Sequence, residues 1–313
     1  MEFVFALTFI AAAFMGISIG ASSVAATFGP VSSSGAMNVL RAGLVAGIFA
    51  FLGSVLQGHN VADTIGSGLL NTEIQVVQAG AILFVAGVLV LVSVLTDYPM
   101  PTAFTTVGAV IGSAYGFGGS VNWSGVSEVV LYWLAVPIFS LALAYSIAVL
   151  LQKYIPKDAK KPIRYLLLIS ASYMAYTTGA GSVGLVSGPL MALNYSQTFL
   201  IWFGAVLILL GTWMYSPRII KAVSYDYSNI GPRRSIAALS AGGIMAQVGV
   251  FLGAPVSANL AIIAAVIGGG MVEGKSNRDM RKIGFTVFAW VSAFFLAIAA
   301  TALIGIFYGA IVN

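Results

Sequence analysis

Long apolar runs without charge alternate with short polar breaks along the whole chain. Phe3 to Leu40 is uncharged. It is long enough for one membrane span of about 20 residues with sequence left over. After Arg41, Ala42 to Gly58 reads as a second apolar helix, and Ile74 to Thr96 as a third. Asp97 to Pro101 breaks the pattern. Thr102 to Phe117 then reads as a fourth span or a re-entrant half-helix, and Val129 to Gln152 as a fifth. The layout returns in the second half. Tyr165 to Thr178, Ser196 to Ser216, Ser235 to Leu252, Pro255 to Met271 and Phe285 to Ile311 are its apolar runs. The pattern predicts an all-α integral membrane protein of about ten segments, some of them short or broken.

The polar breaks differ in charge. His59 to Glu73 and Gly118 to Glu128 contain no Lys or Arg, whereas Lys153 to Arg164, Arg218 to Arg234 and Val272 to Lys282 hold 13 of the 14 basic residues. By the positive-inside rule these three basic loops are expected to be cytoplasmic. Arg41 marks a further cytoplasmic turn. Five segments per half is an odd number, so the second half runs upside down relative to the first, with both termini outside. The expected units are residues 1–152 and 165–313, two inverted-topology repeats, joined by the basic linker 153–164.

Composition agrees. The chain of 313 residues is 59% hydrophobic and 7% charged, with a mean hydropathy of +1.00. Soluble domains carry about 25% charged residues. The absence of cysteine excludes disulfides, thiolate catalysis and cysteine-ligated metals, and one histidine cannot build a His-rich metal site. The first apolar run has no basic flank and carries Glu2, so it reads as a retained span. The net charge of +5 follows from topology and does not signal nucleic acid.

Two polar islands interrupt the apolar runs at corresponding places. Gly20 to Gly35 reads GASSVAATFGPVSSSG, and Gly179 to Pro189 reads GAGSVGLVSGP. Gly20, Ala21, Ser23 and Val24 match Gly179, Ala180, Ser182 and Val183, and Gly29-Pro30 matches Gly188-Pro189. A second pair supports the duplication. PMPTAFTTVGAVIG (Pro99 to Gly112) matches PVSANLAIIAAVIG (Pro255 to Gly268). Glycine, proline and serine at these points are expected to interrupt the helices. Broken helices at matched places in two halves point to a transporter binding site.

The chemistry available there is neutral. A proline opening a half-helix leaves backbone N–H groups directed inward, and with the helix dipole they attract an anion without a basic side chain. The candidate substrate-binding residues are Ser22, Ser23, Thr27, Gly181, Ser182, Ser187, Thr102, Ala103, Ser257, Ala258 and Asn259. Oxygen atoms near Ser22, Ser23 and Ser182 could also hold Na⁺. Other features have plainer readings. Gly43, Gly47, Gly53 and Gly268 to Gly270 suit close helix packing. His59 suits a solvated loop, and Asp63 and Asp97 suit solvated or capping positions. Trp123, Tyr132, Trp133 and Tyr227 suit interfacial anchoring.

At the duplicated motifs the sequence resembles the inorganic phosphate transporter (PiT) family. That family's halves each carry a signature close to G-A-N-D-V-A-N followed by F-G or I-G-P, which is similar to Gly20–Gly29 and to Gly179–Pro189 here. Its P-V-S-T-T-H-A-I-V-G segment resembles Pro99–Gly108 and, more closely, Pro255–Ile262. Ile48 to Ile65 resembles its F-E-F-L-G helix and following loop. The resemblance implies uptake of a small inorganic oxyanion by a cation-coupled, alternating-access permease, with Na⁺ or H⁺ as coupling ion.

The departures matter chemically. The signature Asn-Asp is Ser22-Ser23 in one half and Gly181-Ser182 in the other, the helix Glu is Ala50, and the hairpin His is Phe104 and Leu260. The carboxylates that would hold Na⁺ or accept a phosphate proton are missing. Sulfate carries no proton and suits a site of pure donors. Phosphate leads by family and sulfate follows by residue chemistry, and a passive anion channel is the alternative from another class. Enzyme activity is not expected, because no nucleophile–base pair or buried acidic cluster is visible. The expected partners are the anion, the lipid bilayer of the plasma membrane and a second copy of the chain in a homodimer, with no nucleic acid.

Overall fold

A computed structural model describes residues 2–96, 101–156, 158–228, 231–273 and 280–312. The described residues are almost entirely helical. An isolated bridge between Leu70 and Val121 is the extended pairing among them. Helical segments occupy every apolar run of the sequence. In the first half they are α1 (Glu2–Ser33), α2 (Val39–Gln57), α3 (Val76–Thr96), α4 (Thr102–Phe117) and α5 (Trp123–Tyr154). In the second half they are α6 (Lys160–Leu190), α7 (Gln197–Ser228), α8 (Pro232–Phe251), α9 (Ala258–Gly270) and α10 (Met280–Val312).

Of the described helices, six are long and apolar enough to cross a membrane: α1, α2, α5 and α8, with the stretches Gln197–Tyr215 of α7 and Val287–Ile311 of α10. α4 and α9, at 16 and 13 residues, are shorter than the ~20 a full span needs. α6 is long, but it begins in basic sequence and is buried along most of its second half.

Several helices run past the boundaries that charge suggests. Arg218 to Arg234, expected as a loop, is helical through Ser228 as the continuation of α7, with Pro217 inside. α10 begins at Met280, within the expected third basic loop, of which residues 274–279 lie outside the described residues. The loop expected at His59 to Glu73 contains a helical turn at His59–Asp63 and a wider π turn at Thr64–Gly68. Charge marks where the hydrocarbon ends, and a helix has no need to stop there. A 32-residue helix is about 48 Å long, against about 30 Å of bilayer core.

The packing of the two halves is matched. α1 packs on α3 as α6 packs on α8, and α2 packs on α6 as α7 packs on α1. α4 packs on α10 as α9 packs on α5. The fifth helix of each half therefore lies against the fourth helix of the other half. Glycines set the closest crossings. A Cβ on Gly20 would overlap the Ile208 carbonyl, and one on Gly179 would overlap that of Ala50. Gly53 meets Tyr176 and Gly211 meets Ile17 in the same way. Gly112 lies on Ile298, and Gly268 lies on Leu141. Without hydrophobic pressure between helices in lipid, such backbone proximity is a main source of association. The packing expected of Gly53 and Gly268 is found.

Contacts also sort the loops by end. Asn71 N–H donates to Ser120 and Asn122 N–H to Leu69, so the two loops without Lys or Arg meet each other. Asn60 reaches the end of α8 at Val250, and Gln197 at the start of α7 reaches Asp63. At the other end Arg233 donates to the Ile155 carbonyl at 2.9 Å, which brings the second basic segment onto the linker.

Candidate functional site

The first polar island distorts its helix without ending it. α1 is regular to Ile19, widens to a π turn at Gly20–Val24, tightens to a 3₁₀ turn at Ala25–Phe28, and resumes at Gly29 with Pro30 in the first turn. π turns inside helices are frequent at functional sites. The second island does not behave as expected. α6 runs as an unbroken α-helix through Gly179–Ser187, and Pro189 falls only in its last turn. Glycine and serine are tolerated there because neighbouring helices cover the backbone. Pro189 gives up the one bond its N–H would have made to the carbonyl four residues back, and the helix ends one residue later at Leu190.

The candidate residues divide by what their polar atoms do. Thr27 donates to Val24 at 2.7 Å, and Ser187 donates to Val183 at 2.9 Å, so both hydroxyl protons are taken up within their own segment. Ser22 is half-buried, donates to Ile19 at 3.3 Å, and lies 3.4 Å from the Ser23 hydroxyl. Ser23 and Ser182 are buried. The π turn that carries Ser22 and Ser23 packs against α6, the helix that carries Gly181 and Ser182. Gly181 has room for a Cβ, with Val250 and Val256 as its nearest neighbours. The second island and the approach to α9 are therefore adjacent.

α4 and α9 begin alike. Pro101 and Ser257 are both extended, and helix starts at Thr102 and Ala258. Intrahelical bonding begins with Phe104 and Thr105 on the Pro101 carbonyl, and with Leu260 and Ala261 on the Ser257 carbonyl. The amides of Thr102, Ala103, Ala258 and Asn259 precede that ladder, as the first amides of any helix do. Thr102, Ala103, Ser257 and Asn259 are buried, and Ala258 is half-buried. The Ser257 hydroxyl is buried without a hydrogen-bond partner. Pro99 and Asp97 lie outside the described residues.

Trp133 corrects an expectation. It is buried, and its indole N–H donates to the Pro255 carbonyl at 2.9 Å. Its ring stacks on Phe104 with centroids 3.8 Å apart and packs edge-on against Phe294. A residue read as an interfacial anchor thus joins the start of α4 to the approach of α9. Sequence reasoning missed it because a lone Trp in an apolar helix looks like a belt residue. It also missed Gln247, whose amide donates to Gln57 while its own oxygen is buried and unpartnered. Trp123, exposed at the start of α5, keeps the anchoring reading.

A cavity of about 270 Å³ lies beside this junction, lined by Thr64, Asn122, Glu128, Tyr132, Gly253 and Ala254 among others. Among the described residues, the buried polar side chains are Ser, Thr, Gln and Asn, and no group of three or more His, Cys, Asp or Glu gathers to hold a metal.

These features define an all-helical, multi-pass membrane protein with paired half-helices that start among neutral donors. The sequence profile of the Phosphate transporter family matches residues 19–162 and again 154–301. The chain belongs to that family. It is 26% identical over 282 residues to a "Putative phosphate permease" of Methanocaldococcus jannaschii, covering 90% of each chain. It is 25% identical over 301 residues to the sulfate permease CysP of Bacillus subtilis, covering 93% of this chain and 84% of that one. Its fold matches a solved structure described as the sodium-dependent phosphate transporter, with TM-score 0.85 at 20% identity over 99% of this chain and 100% of that one.

Proposed function

We propose that this protein is a secondary active permease for a small inorganic oxyanion, with phosphate as the leading substrate, working by alternating access. The observation that carries the reading is the pair of short helices, α4 and α9, that start from extended residues in buried, uncharged surroundings. Their leading amides, the dipoles behind them and the hydroxyls of Ser22, Ser23, Ser182, Thr102 and Ser257 would hold the anion. Neutral donors bind an oxyanion while leaving its release fast enough for turnover.

Residues 1–152 and 165–313 would be the two inverted repeats, joined by the linker at 153–164. Matched packing supports this, as does the separation of basic from uncharged loops to opposite ends. The basic end would face the cytoplasm in the plasma membrane, with both termini outside. Na⁺ would sit among the oxygens of Ser22, Ser23 and Ser182, a hard-donor set suited to it. The partners would be the anion, the bilayer and a second copy of the chain.

Sulfate is the second reading, favoured by the uncharged character of the buried polar residues. A fully ionised anion needs donors only, whereas phosphate brings an O–H that wants an acceptor. Uptake into proteoliposomes of phosphate and sulfate, with and without Na⁺ and pH gradients, tests the proposal. Accumulation of either anion against its gradient is the expected result. Flux that only follows the anion's own gradient would instead identify a channel.

A further inference from the structure

The fifth helix of each half carries a tryptophan at one register. The carbonyl of Leu141 in α5 lies against Gly268 of α9, and that of Ile298 in α10 lies against Gly112 of α4. Trp133 and Trp290 stand at the same spacing before those two residues, and both are buried. Both rings approach Phe104: Trp133 stacks on it, and Trp290 lies with its centroid 6.5 Å away. This is a third duplicated feature, lying outside both polar islands and both proline segments.

We propose that Trp133 is a positioning residue of the permease: its indole N–H, reaching across from the first half, holds the Pro255 carbonyl and so fixes the approach to α9 that presents Ser257 and the amides of Ala258 and Asn259 to the anion. The inference rests on the transport reading for its functional consequence.

The approach to α9 has little else to hold it. Proline supplies no N–H, and Gly253 turns the chain at φ +68. The local backbone bonds, Gly253 to Val250, Ala254 to Gly249 and Val256 to Ala254, leave the Pro255 carbonyl for an outside donor. A buried carbonyl out of reach of water is costly to leave without a partner. Trp133 provides the donor at 2.9 Å, and stacking on Phe104 fixes the plane of its ring. Its backbone belongs to α5, whose packing partners are α9 and α8 of the other half. The hydrogen bond therefore ties the anion-facing end of one half to the frame of the other. Were Trp133 only filling space, its N–H would be dispensable, and a ring of similar bulk would serve.

That difference is testable on the full-length protein. Trp133→Phe keeps an aromatic face and removes the donor, whereas Trp133→His keeps a ring N–H. Hydrogen–deuterium exchange reports on the backbone of 256–261 without any need for transport. Uptake of phosphate and of sulfate reports KM and Vmax. For Trp133→Phe, exchange at 256–261 rises about fivefold, and KM rises about fivefold to tenfold with Vmax within about twofold. Trp133→His restores most of both. Exchange at 256–261 equal to wild type overturns the proposal. Faster exchange with an unchanged KM overturns it too, because the hydrogen bond would then hold backbone that the anion does not use. If the wild-type protein takes up neither anion, the transport reading fails, and the exchange comparison still decides whether Trp133 holds the approach to α9.

Discussion

The hydroxyl of Thr212 donates to the carbonyl of Gly20 at 3.2 Å, at the point where the first polar island crosses α7. The matching contact joins Ser54 of α2 to the carbonyl of Gly179 at 3.0 Å, where the second island crosses. Each hydroxyl also bonds within its own helix, Thr212 to Ile208 and Ser54 to Ala50, both at 2.8 Å. A shared proton of this kind adds little strength, and its value lies in fixing the depth at which two helices cross. Thr212→Val and Ser54→Ala should each lower stability by about 0.6–1.5 kcal/mol. The crossings are distinct, so the double variant should be additive. Unfolding in detergent measures this, and no change in either variant would reduce both contacts to by-products of packing.

Two neighbouring glycines in the second island should respond in opposite ways. A Cβ at Gly179 overlaps the Ala50 backbone, whereas at Gly181 its nearest neighbour is a Val250 methyl at 3.5 Å. Gly179→Ala should cost about 1–3 kcal/mol or prevent assembly, as overpacking does. Gly181→Ala should fold normally and lose anion affinity, since Gly181 lies beside the approach to α9. Comparing melting temperature with uptake separates the two. Normal uptake by Gly181→Ala would remove that residue from the site.

Ser257 offers a sharper contrast between stability and function. Its hydroxyl is buried without a partner, an arrangement that is costly unless something else uses it. Ser257→Ala should leave stability unchanged or raise it by up to about 1 kcal/mol. Anion uptake should show a KM raised several-fold. A destabilised protein with wild-type KM would mean that the hydroxyl serves the fold.

Ser22 and Ser23, which stand where the family resemblance implies Asn-Asp, test the choice of anion. Ser23→Asp introduces a carboxylate that can accept the O–H of phosphate but only repels sulfate. Sulfate uptake should fall more than phosphate uptake. Equal losses in a vesicle assay would defeat the proton-acceptor argument.

Orientation can be read by labelling, because the chain has no cysteine of its own. Asn71 lies exposed in a loop without Lys or Arg, and Asp158 lies exposed in the basic linker. With an impermeant thiol reagent on intact cells, Asn71→Cys should react and Asp158→Cys should not. The reverse pattern would turn the protein over in the membrane.

Much of the architecture could be read from residue order alone. Period-free apolar runs, the confinement of Lys and Arg to three breaks and two motifs present twice are all local in sequence. They mark the helices in order, the duplication and the neutral chemistry at Ser22, Ser23 and Ser257. Helix ends were less legible. Charge reports the edge of the hydrocarbon, so α7 and α10 run on through residues that looked like loops. The two islands also differ in a way their near identity conceals. Gly20–Val24 opens into a π turn and Gly179–Val183 stays α-helical, because distortion depends on what packs around a segment.

The partnership of Trp133 belonged wholly to tertiary structure. In the chain it is one aromatic residue in an apolar run, far from Phe104 and from Pro255. It becomes a link between two half-helices only because the fifth helix of each half lies on the fourth of the other. Residue identity decides which segments leave water and which carry polar atoms with them. Which polar atoms then meet, and which, like the Ser257 hydroxyl, are buried without a partner, depends on crossings between helices distant in sequence, where a glycine in place of any other residue lets two backbones touch.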